Sequence, residues 1–101
     1  MKLGTTPKHT IVLPFEISLV KELKITYAQN KHVILEKYLR DCSTEDDNTV
    51  SFYLSQEETF LFIDGVNVEV QVRVLTINDD VLASDIQLIS ASRCLDREVL
   101  E

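Results

Sequence analysis

Tryptophan is absent, and glycine, proline and cysteine each occur only twice in 101 residues. No glycine-rich loop is present to cradle a phosphate. Cys42 and Cys94 lie far apart with no Cys-x-x-Cys spacing, a poor zinc site, and in a reducing cytoplasm they are expected as free thiols. Basic clusters are also missing. Ten Lys and Arg stand against seventeen Asp and Glu, a net charge of −7, and Lys21, Lys24 and Lys31 are scattered along the chain. Binding to nucleic acid or to an anionic membrane surface requires a basic patch, so neither is expected. No stretch approaches the roughly 18 apolar residues of a membrane span, and the opening "MKLGTTPKHTIVLPF" has no apolar run of signal-peptide length.

What is there is ordinary for a globular domain: 45% hydrophobic and 27% charged residues. One domain over 1–101 is expected, with 1–8 flexible and 93–101 a tail. Polar clusters mark the breaks between elements. "HTIVLPF" (9–15) reads as a first strand with Ile11, Leu13 and Phe15 on one face, held to a sheet edge by Pro14. "LKITYAQN" (23–30) alternates and is followed at once by "HVILEKYLR" (32–40), a β-hairpin turning at Gln29-Asn30-Lys31. In its second strand Val33, Leu35 and Leu39 share a face with Lys37. "DCSTEDDN" (41–48) reads as a polar loop, and "TVSFYLS" (49–55) as a strand with Val50, Phe52 and Leu54 inward.

"SQEETFLFIDGVNVEVQVRVLT" (55–76) is the most ordered stretch. Ser55 and Glu58 form a capping box that starts a single helical turn. Gly65 breaks that turn, Phe60 and Phe62 are placed to plug the end of a core, and Val68, Val70, Val72 and Val74 alternate with Glu69, Gln71 and Arg73. Strict period two implies one buried and one solvated face. After the turn at Asn78-Asp79-Asp80, "VLASDIQLISAS" (81–92) reads as one last strand whose phase slips between Leu88 and Ile89. Six to seven short strands, with gaps too short for crossover helices, give an all-β fold: an antiparallel, immunoglobulin-like β-sandwich.

Chemistry has few candidates. His9 and His32 have no companion at triad or ligand spacing and are expected at the solvent. Asp41, Glu45, Asp46 and Asp47 could offer oxygens to calcium or meet a basic partner surface. The twelfth position from Asp41 is Phe52, though, and no glycine intervenes, unlike an EF-hand loop. Asp79-Asp80 reads as turn residues, and Cys94, beside Arg93, as an inert thiol. No catalytic residue, cofactor or metal is expected.

Leu54-Ser55-Gln56-Glu57-Glu58-Thr59, then Phe62, Gly65 and the alternating strand, resembles a corner found in small immunoglobulin-like domains of phage tails and baseplates, such as the N-terminal domain of baseplate upper proteins. The whole chain resembles small phage and prophage proteins of Gram-positive bacteria. Gln56 departs from the proline usual in that corner, and Asn67 from a frequent aromatic. The resemblance implies a structural or assembly role in a virion, with synthesis in the bacterial cytoplasm, and carries no catalytic residues. The function expected is therefore non-enzymatic. It works by contact with protein partners or with copies of itself, through the 9–15 edge or the 93–101 tail. A carbohydrate-binding sandwich is the alternative, with thin support from Tyr27, Tyr38 and Tyr53 alone.

Overall fold

The computed structural model describes residues 1–101. Its strands, in chain order, are β1 (Lys8–Val12), β2 (Val20–Gln29), β3 (His32–Tyr38), β4 (Ser43–Asp46), β5 (Thr49–Tyr53), β6 (Val68–Thr76), β7 (Val81–Ala83) and β8 (Gln87–Ile89). One four-residue helix, α1 (Gln56–Thr59), and two 3₁₀ turns, Ile17–Leu19 and Leu39–Asp41, complete the elements. Strands β1-β5-β4 form the smaller sheet; β3-β2-β6-β7 form the larger, with β8 continuing along the β6 edge beyond β7. Every strand pairing is antiparallel, so the chain is an all-β sandwich.

The core follows from alternation. Leu23, Ile25 and Tyr27 of β2 meet Val68, Val72 and Val74 of β6, Val50 and Phe52 of the opposing sheet, and Leu54 just after it, all buried. Val70, in phase with them, is only partly buried. The β2–β3 hairpin turns through Asn30 (φ 50°) and Lys31 (φ 66°), the two consecutive positive φ values of a type I′ turn. A bulge then inserts Ile34, because Ala28 pairs with Val33 but Tyr27 with Leu35. The bulge moves Val33 to the outer face, where it is exposed, and leaves Leu35 and Lys37 facing inward.

Several expectations are corrected. The acidic stretch 41–48 is not wholly loop: Ser43–Asp46 pairs with β5 as an edge strand. The last strand is two, β7 and β8. They are split at Ser84, whose N–H donates to Val72 O (2.9 Å) while its Oγ accepts from Val72 N–H (3.0 Å). These two changes raise the strand count to eight. Within residues 1–8, where flexibility is expected, Lys2, Thr5, Thr6 and Lys8 are exposed but other residues make contacts. Leu3 is fully buried and donates its N–H to Ser92 O (3.0 Å), Ser92 donates to Met1 O (2.8 Å), and Lys8 already belongs to β1.

The corner after β5 forms as its sequence implies. Ser55 Oγ accepts from Glu58 N–H (3.1 Å), and Glu58 Oε1 accepts from Ser55 N–H (2.8 Å). Thr59, fully buried, ties this turn to the N-terminus by accepting from Gly4 N–H (2.8 Å). Gly4 has φ +78°, and a Cβ there would stand 2.8 Å from the Phe60 ring, so no other residue fits without displacing it. Phe62 is buried with its ring centroid 5.9 Å from that of Tyr27. Phe60 is half-buried beneath the Arg97 guanidinium, 4.7 Å from its ring centre.

Candidate binding surfaces

Most polar side chains are engaged within the fold. His9 has the parity of Ile11 and Leu13 and turns inward, correcting its expected place at the solvent. It stacks on Tyr27 with centroids 5.6 Å apart, and its Nδ1 lies 2.5 Å from the Tyr27 hydroxyl. Burial, helped by the positive N-terminal amino group, pushes the His9 pKa down, and burial pushes that of Tyr27 up. With His9 neutral and Tyr27 protonated, the tautomer of His9 sets the direction: the hydroxyl donates to a bare Nδ1, or Nδ1–H donates to the hydroxyl oxygen. His32 remains exposed at the hairpin turn.

Gln29, only 1% exposed, was missed as a core residue. Its Nε2 donates to Ile63 O (2.8 Å) and Val66 O (3.0 Å), and its Oε1 accepts from Ile63 N–H (2.8 Å). One side chain thus satisfies three backbone groups of the segment that returns from the corner. Its parity with Leu23, Ile25 and Tyr27 was the available signal.

The acidic residues of the 41–47 stretch share no common ligand set. Asp41 accepts from Tyr38 N–H (2.8 Å), Asp46 from Asn48 N–H (3.2 Å), and Glu45 pairs with Lys8 and accepts from Ser51 Oγ (2.7 Å). No three His, Cys, Asp or Glu side chains are grouped closely enough to hold a metal. Asp79 (φ 66°) and Asp80 sit in the β6–β7 turn, with Asp79 3.5 Å from Lys21. Glu58 Oε2 meets Lys37 Nζ at 2.6 Å. Burial pushes the Glu58 carboxyl up, but the bonds from Lys37 and Ser55 outweigh it and hold the carboxyl below its usual range. Cys42 and Cys94 are unbridged and half-buried, and burial pushes the Cys42 thiol up.

Two surfaces remain. The first is the outer edge of the larger sheet. All of residues 77–88 are exposed, and Val81, Leu82, Ile86 and Leu88 are each 45–63% open. Leu82 pairs with inward-facing Val74, yet the smaller sheet does not cover it.

The second is an open groove of about 780 Å³ on the larger sheet. Lys21, Lys24, Arg40 and Arg73 line it with a single carboxylate, Glu22. Two of the lysines that look scattered in sequence, Lys21 and Lys24, are thus brought beside two arginines. Lys24 and Arg73 are directly opposite across β2 and β6, a like-charge placement that costs stability. Lys24 is relieved by Glu36 (3.1 Å), which also accepts from the Tyr38 hydroxyl (2.6 Å). Arg40 lies 4.5 Å over the Tyr38 ring, and neither Arg40 nor Arg73 forms an ion pair. The three tyrosines do not share one surface: Tyr27 is buried, Arg40 lies over the Tyr38 ring, and Tyr53 is exposed on the other sheet. No protein-family model, curated protein or solved structure matches the chain.

Proposed function

We propose that this chain is a non-enzymatic structural or assembly module that works through protein–protein contact. From the resemblance of its corner and return strand, we place that role in a phage or prophage virion, at the tail or baseplate. The observation that carries the reading is the β7–β8 edge. There, unpaired backbone and exposed Val81, Leu82, Ile86 and Leu88 form an apolar border on an otherwise acidic protein. An uncovered edge strand with apolar side chains pairs or packs with another chain unless something guards it. No charged residue lies within either short strand. β1 offers a second, smaller edge with Val12 67% exposed.

The test is light scattering across a concentration series, together with co-purification of the proteins encoded beside this one. Leu82→Lys combined with Leu88→Lys should weaken whichever association the wild type shows, with an unchanged β circular dichroism spectrum. Val12→Lys should act in the same direction at the other edge. A wild-type chain that is monomeric at high concentration and retains no neighbour-encoded protein defeats the reading.

A further inference from the structure

We infer that the basic groove is the socket of a head-to-tail contact between copies of this chain, and that the plug is the acidic edge formed by β4 and the turn before β2. The inference rests on the assembly reading above and specifies one contact within it. The groove gathers four of the chain's ten cationic side chains with one carboxylate in its lining, Glu22; Glu36 and Asp79 pair with Lys24 and Lys21, which leaves Arg40 and Arg73 as the cations without an anion. Such enrichment is not needed for folding, because the Lys24–Arg73 cross-strand pair opposes it. An incoming carboxylate removes that penalty and supplies the partners that Arg40 and Arg73 lack; planar guanidiniums take carboxylates in two-pronged pairs.

The same chain carries the complementary surface. Glu16, Glu45, Asp46 and Asp47 surround a cleft with no cation in its lining, and all four are exposed. Glu45 is paired with Lys8, but Glu16, Asp46 and Asp47 form no ion pair. β4 is also a free sheet edge. Socket and plug are different patches of one molecule, so the contact is heterologous. Each copy can be bound at one patch while binding through the other, which builds a ring or a filament and not a closed pair.

The test uses the full chain in sedimentation velocity. In about 0.1 M salt the screening length is about 10 Å, so the like net charges of two copies are largely screened while groups in contact are not. The mean mass should rise with concentration there and fall back toward a single chain in about 0.5 M salt. Arg40→Glu with Arg73→Glu makes the groove acidic like the plug, and Glu16→Lys with Asp47→Lys cancels the negative charge of the plug. Each double variant alone should be monomeric with a wild-type circular dichroism spectrum. Mixed in equal amounts they should associate again, because each offers the patch that the other lacks. Wild-type protein that remains monomeric in about 0.1 M salt overturns the inference. If a glutamate-rich peptide then binds the wild type but not the Arg40/Arg73 variant, the groove serves a different acidic protein. Association unchanged in both double variants also overturns it, and leaves assembly through the apolar edges standing.

Discussion

Gln29 shows how much a single buried polar side chain can hold. Its amide satisfies both backbone groups of Ile63 and the carbonyl of Val66, and no other protein group bonds them. Gln29→Ala strands three polar groups and opens a cavity, so it should destabilise the chain by roughly 3 kcal/mol in urea unfolding. Gln87→Ala, at an exposed position with no side-chain bond, should stay within about 0.5 kcal/mol. His9 gives the pH dependence. Its folded pKa lies below the ordinary 6.5. Between those two values the unfolded chain binds a proton that the folded chain does not. Stability is therefore full above about 6.5 and declines as pH falls through that value toward the folded one. Protonation also leaves Nδ1 able only to donate to the Tyr27 hydroxyl oxygen. The urea midpoint of the wild type should drop between about pH 7 and pH 5.5, and that of His9→Gln should be flatter there. The carboxylates act in a separate, lower window. Glu58, held below its usual 4.5, contributes stability that is present above that value and lost as pH falls through its folded pKa.

At the scale of elements, what alternates against a core was legible. β6, β5, the hairpin turn and the capped corner stand where the residues imply, because each carries its own signal: period two, consecutive turn formers, or Ser-x-x-Glu. β4 was not legible because all four of its residues are exposed and polar. It is a strand through pairing with β5, and pairing leaves no trace in hydropathy. The bulge at Ile34 was half-visible as a broken alternation, and its meaning required the partner strand. The groove was invisible because it joins Lys24, Arg40 and Arg73 from separate segments. The corner is the element where a local signal and a tertiary contact meet. Ser55→Ala removes one cap bond and should cost about 1 kcal/mol. Glu58→Ala removes the other half of the box and also leaves Lys37, whose side chain is 14% exposed, without its anion. It should cost about 2 kcal/mol or more. A double-mutant cycle with Lys37→Met should return a coupling of at least about 0.5 kcal/mol; additivity within error would place the pair outside the energetics of the corner.

For the whole molecule, the question is what closes the sandwich at the end where the chain's two extremities meet. The N-terminal segment is structural. Leu3 is fully buried in the main core, the Met1 amino group donates to Ser90 O (2.7 Å), and Gly4 joins the corner through Thr59. The C-terminal segment is tied differently. Leu100 exchanges two bonds with the Gln56 amide, both 2.8 Å, and Arg97 donates to Phe60 O (3.2 Å), while the Leu95 and Leu100 side chains stay 91% and 70% exposed. Gln56, the departure from the proline of the resembled corner, is what receives the tail, and a proline side chain could make neither bond. One end therefore holds by apolar burial and the other by exposed polar contacts, which compete with water and contribute little. Leu3→Ala should lower stability by about 3 kcal/mol, the cost of a cavity in a packed core. Removal of Leu95–Glu101 should lower it by about 1 kcal/mol or less and leave the β spectrum intact. If the tail presents Leu95 and Leu100 to a partner, that truncation should reduce association far more than it reduces stability. Leu3→Ala should do the reverse. Equal effects of the two changes on unfolding midpoint would show that the tail is part of the closure and not a surface offered to another chain.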